Sequence, residues 1–68
     1  MGFMSDKEKL RILLAYWIEH NFDHAQEFRK WAQLAEAFGP KEAASKLEAA
    51  AQEMTAVNDS LRTALDLL

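Results

Sequence analysis

The chain has 68 residues, no cysteine, and eight Lys/Arg against eleven Asp/Glu, for a net charge of −3. That length allows one small domain with a limited core, and the missing cysteines exclude disulfides and thiolate metal sites. The basic residues are scattered, which argues against nucleic acid, and no run approaches the roughly 18 apolar residues of a membrane span.

A fold this small needs help from oligomerisation, close helix packing or a His/carboxylate metal. The acidic, mixed-sign surface and the lack of cysteine fit a cytoplasmic protein. Residues 1–4 are set aside as a disordered N-terminus or an expression remnant, leaving residues 5–68 as a single helical-hairpin domain. Met1-Gly2 invites a myristoylation reading, but that motif wants Ser or Thr where Asp6 stands. Residues 12–18, "ILLAYWI", fall at the short limit for a signal peptide, and Glu19-His20-Asn21 follow where a small-residue cleavage site should lie.

Ser5-Asp6-Lys7-Glu8 forms a capping box. No Gly or Pro follows until Gly39-Pro40. Gly39 suits a left-handed residue after a helix end, and Pro40 suits the first turn of the next helix. Residues 40–68 are rich in Ala, Leu, Glu, Gln and Lys, all good helix formers. The expected fold is therefore all-α: helices over about 6–38 and 41–67, joined by a tight turn into an antiparallel hairpin.

At 100° per residue the first helix shows a stripe through Leu10, Leu13/Leu14, Trp17, Asn21, His24, Phe28, Trp31/Ala32, Ala35 and Phe38. The second runs through Ala43, Leu47, Ala50/Ala51, Met54, Val57/Asn58, Leu61, Ala64/Leu65 and Leu68. Bulky Phe28, Trp31 and Phe38 are expected over the alanines. Helix 1 is apolar beyond one stripe, so Ile12, Tyr16, Trp17, Ile18, Phe22 and Trp31 form an expected interface. That points to a homodimer closing a four-helix bundle, or to a protein partner. The alternative is a three-helix monomer broken near residues 21–23, where Asp23 and Gln26 resemble a second capping box.

The polar patch is "WIEHNFDH", residues 17–24. In a hairpin whose facing residue numbers total about 79, Asn21 meets Asn58 and His24 meets Thr55. Asn21, His24, Thr55 and Asn58 thus form an expected polar layer that fixes register. His20, His24 and Glu27 share one face and form an alternative metal site. Two imidazoles and a carboxylate suit a divalent transition metal such as Zn, Ni or Co. Haem held by two histidines across a dimer is a further alternative. No phosphate loop or Ser/His/Asp arrangement occurs, so no enzyme activity is expected.

Trp17, Ile18, Glu19, His20, Asn21, His24, Ala25, Glu27 and Phe28 form a Trp-Ile-Glu-His-Asn-x-x-His-Ala-x-Glu-Phe pattern. In it the chain resembles a small uncharacterised helical-hairpin family of anaerobic bacteria and archaea. The resemblance implies an Ala/Glu-rich second helix and a loose association with metal and tetrapyrrole metabolism. It brings no activity with it. Phe22 departs toward an apolar residue where the family is more polar.

Overall fold

The computed structural model describes residues 3–68. Met1 and Gly2, with the myristoylation reading and part of the segment set aside above, lie outside the described residues. Two helices follow: α1, Asp6–Phe38, and α2, Lys41–Asp66. They pack antiparallel as a hairpin of 56 × 22 × 10 Å.

Helix α1 starts where the sequence signals it. The Ser5 backbone is extended (φ −68°, ψ 163°), and its hydroxyl accepts from the Glu8 amide at 3.2 Å, satisfying one orphan N–H of the first turn. Asp6 and Glu8 place negative charge at the positive helix end. The helix runs unbroken for 33 residues, straight through Asn21–Asp23. The three-helix alternative is therefore not adopted. Asp23 lies inside a continuing helix, where backbone bonds already satisfy the amides that a cap would serve.

The turn differs from expectation. Gly39 is extended (φ −114°, ψ 178°) rather than left-handed. The cause is Pro40, whose ring pushes the preceding residue out of helical space toward extended ψ. The Gly39 amide still closes the helix by donating to the Ala35 carbonyl at 2.8 Å. A Cβ at this position would meet that carbonyl at 3.3 Å, so glycine serves a close approach here. Pro40 sits one position earlier than expected, at the N-cap, and its carbonyl accepts from the Ala43 amide at 3.0 Å.

Both helices bury a line of residues spaced alternately three and four apart. On α1 it is Leu14, Ile18, Asn21, Ala25, Phe28, Ala32 and Ala35; on α2 it is Ala44, Leu47, Ala51, Met54, Asn58, Leu61 and Leu65, continued by Leu68 just past the helix end. This spacing keeps one seam in contact along two helices crossing at a shallow angle. The fully buried apolar residues are Leu14 and the alanines 25, 32, 35, 44 and 51. Small side chains let the two backbones come close.

The α1 seam lies one residue later than the stripe read from sequence at two positions, Ile18 instead of Trp17 and Ala25 instead of His24, and takes Ala32 alone where the stripe offered Trp31 and Ala32 together. Trp31 and Phe38, expected over the alanines, stand 49% and 74% exposed. A second line therefore runs one residue earlier, at Leu10, Leu13, Trp17, His20, His24, Glu27, Trp31, Leu34 and Phe38, and all of it is exposed. One residue is about 100° around the helix. The two lines are thus separate faces, and the hairpin covers one of them. A compact chain of 7.8 kDa should expose about 4,400 Å². This one exposes 5323 Å².

Candidate functional site

The polar layer is built by two asparagines. The Asn21 amide donates to the Asn58 side-chain oxygen at 3.1 Å, and the Asn58 amide donates to the Ile18 carbonyl at 2.9 Å. Asn58 is 4% exposed and is the one buried polar residue among those described. An amide taken from water without partners costs several kcal/mol, so these bonds decide whether the layer is tolerated. Among the described residues no buried side-chain N or O lacks a partner. Asn21–Asn58 and the Arg11 guanidinium on the Leu68 carbonyl are both pairs whose numbers total 79. The facing of Asn21 and Asn58 seen in the sequence is realised as a hydrogen bond.

His24 and Thr55 lie outside this layer. Both are exposed. The Thr55 hydroxyl turns back to its own helix and donates to the Ala51 carbonyl at 3.2 Å. Ala25 takes the buried place that the sequence reading gave to His24. The reason is the one-residue offset of the seam, which carries His24 onto the outer face.

There His24 meets His20. Their Nε2 atoms are 3.0 Å apart, with one nitrogen donating and the other accepting according to tautomer. The rings meet edge to face with centroids 4.5 Å apart. Tyr16 stacks on His20 at 5.4 Å and Phe28 lies against His24 at 6.0 Å. This ladder of residues four apart holds both imidazoles in place. Two nitrogens bound 2.0–2.1 Å from one ion stand about 2.9 Å apart at a right angle and about 3.3 Å at a tetrahedral angle. The observed spacing falls within that range.

Glu27 does not complete the set within the chain. Among the described residues, no three His, Cys, Asp or Glu side chains gather to hold a metal. His20 and His24 close on each other, while Glu27 begins about 10 Å further along the axis from His20.

The expected interface residues divide. Trp17 and Trp31 lie on the exposed second line. Tyr16 flanks it through its stack on His20, and exposed Ile12 borders a shallow apolar hollow with Met4, Lys9 and Leu13. Ile18 is half-buried in the hairpin seam. Phe22 is exposed beside a different groove, with Ala25, Arg29, Thr55, Asn58 and Arg62. Sequence reasoning missed Leu34, which continues the exposed line. Its place seven residues from Glu27 and three from Trp31 was the available signal.

Among the described residues no helix is long and apolar enough to cross a membrane. No solved structure matches the chain. An uncharacterized protein of Archaeoglobus fulgidus is 38% identical over 61 residues, covering 90% of this chain and 97% of that one. A family model described as "Domain of unknown function (DUF8180)" matches residues 10–68. All of α2 and all but the first turn of α1 fall within that match, and the chain belongs to this family.

Proposed function

We propose that this protein is a non-catalytic helical oligomerisation module that pairs with a second copy through the outer face of α1. The observation that supports this reading is the exposed line from Leu10 to Phe38, which repeats the three-and-four spacing of the buried seam. An exposed line of that kind, apolar over Leu10, Leu13 and Trp17 and again over Trp31, Leu34 and Phe38, marks an interface. Sedimentation velocity at micromolar concentration tests it. Wild type should sediment as a dimer, and Trp17→Glu/Trp31→Glu as a helical monomer. A wild type that stays monomeric overturns the reading.

A second reading, transition-metal binding, is favoured by the 3.0 Å separation of the His20 and His24 nitrogens. The pair stands on an open helix surface, which suits ligation rather than turnover. Sulfur-free ligation accommodates Zn, Ni or Co. Calorimetric titration of these ions should give heat with wild type that His20→Ala/His24→Ala abolishes. Equal heats for the two proteins would remove the metal reading.

A further inference from the structure

We infer that the metal site is composite: in an antiparallel dimer of α1 helices, His20 and His24 of one copy are joined by the partner's Glu27. This inference rests on both the dimer reading and the metal reading above.

The charges on the outer face select the arrangement. Asp23 and Lys30 flank the line on the same side, one residue before His24 and Trp31. Parallel pairing of two α1 helices sets Glu27 against the partner's Glu27, a like-charge contact that would be desolvated, and carries the Asp23 and Lys30 side chains of the two copies to opposite sides of the interface. Antiparallel pairing with the two-fold axis between Ala25 and Gln26 no longer sets Glu27 against its mate and brings the flanking charges of the two copies to the same side. Asp23 then stands near the partner's Lys30, and His24 faces the partner's Glu27. The apolar positions pair in the same register. Leu13 faces the partner's Phe38, Trp17 the partner's Leu34, and His20 the partner's Trp31. Glu27 is the one charged residue on the exposed line. In this register its carboxylate meets the histidine pair instead of an apolar side chain.

The chemistry follows from the positions. Within one chain the imidazoles offer two nitrogens 3.0 Å apart, and no third ligand is gathered beside them. The partner's Glu27 enters level with His24, from the opposite wall of the interface. Two imidazoles and a carboxylate then converge on one ion, with positions left for water. The two-fold axis repeats the set, giving two sites per dimer. Tyr16 and Phe28 hold the rings, and the partner's Trp31 covers His20 from the solvent side. The ion would be a divalent transition metal, and its affinity would be linked to dimerisation because each site needs both copies.

Mixing two defective variants tests the sharing of ligands. His20→Ala/His24→Ala keeps Glu27, and Glu27→Ala keeps both histidines. All three side chains are exposed, so the hairpin core is untouched. If either variant loses helicity, the Gln versions replace it. Cobalt(II) is the probe, with its visible ligand-field absorption as readout and sedimentation measured on the same samples. Each variant alone should lose the wild-type band. Co-refolded one to one, they should regain about a quarter of it per chain, because half of randomly paired dimers carry one complete site. A mixture that sediments as a dimer but stays spectrally silent overturns the shared site and leaves the dimer standing. So does a Glu27→Ala protein that keeps the full band. A mixture and wild type that both sediment as monomers overturn the dimer and the shared site together.

Discussion

The Asn21 amide donates to the Asn58 side-chain oxygen at 3.1 Å, tying the middle of α1 to the far half of α2. Asn58 then reaches the Ile18 carbonyl at 2.9 Å. The two bonds fix one sliding position in a seam that is otherwise apolar, which alone would tolerate a shift of seven residues. Asn58→Ala removes an acceptor from the Asn21 amide and should cost about 1–3 kcal/mol in urea unfolding. Asn21→Leu/Asn58→Leu should unfold at no lower urea concentration than wild type yet give more than one set of amide resonances. A single sharp set from that double variant would show that the layer does not specify register.

Ala51 has no exposed surface at all. A larger side chain there must push the helices apart along their length. Ala51→Leu should lower unfolding free energy by about 1–3 kcal/mol. A neutral result would mean that the two helices pack less closely than their alanine seam implies.

Gly39 gives a test of the opposite kind. Its φ of −114° is open to any residue, and an added Cβ meets the Ala35 carbonyl at 3.3 Å. The slight crowding opposes a gain from restricting the unfolded chain. Gly39→Ala should therefore stay within about 1 kcal/mol of wild type in thermal or urea unfolding. A larger loss would indicate a left-handed turn and contradict the extended geometry.

The flanking charges test the pairing direction. Asp23→Lys and Lys30→Asp each create two like-charge contacts across the proposed antiparallel dimer, and each should weaken dimerisation by about 1 kcal/mol or more. The double swap Asp23→Lys/Lys30→Asp should restore it, with the effect fading in high salt. Additive losses in the double variant would rule out this register. Sedimentation equilibrium at two ionic strengths gives the comparison.

Much of this was legible in the sequence because its signals were local. Ser5 and Glu8 marked the start of α1, Gly39-Pro40 was the single strong breaker, and the 3.6-residue period did the rest. The facing of Asn21 and Asn58 followed from the tight turn alone. The rotation of α1 was not legible. Its buried and exposed lines differ by one residue at each level, both are largely apolar, and both repeat every seven residues. What selects between them is size against α2: Ala25 and Ala32 lie level with Met54 and Leu47 and leave room for them, where Trp17 and Trp31 would hold the helices apart. Ala25, Ala32 and Gly39, spaced seven apart, carried that information. The same rotation moves His24 out of the polar layer and onto the face with His20. The conformation of Gly39 was missed because the effect of Pro40 on its predecessor outweighs the usual glycine end of a helix.

Antiparallel pairing of α1 about Ala25 and Gln26 is the central claim, and distances between spin labels test it directly. A nitroxide is placed at position 15 in one sample and position 26 in another, both exposed residues in the hairpin. Position 26 lies almost on the two-fold axis. Position 15 is separated from its mate by about 21 residues along the axis, or roughly 30 Å at 1.5 Å per residue, before lateral offset. Pulsed dipolar spectroscopy should therefore give a markedly longer distance at position 15 than at position 26. Equal distances at the two sites would show a parallel dimer, and the absence of dipolar coupling at position 26 would show that α1 does not pair with itself.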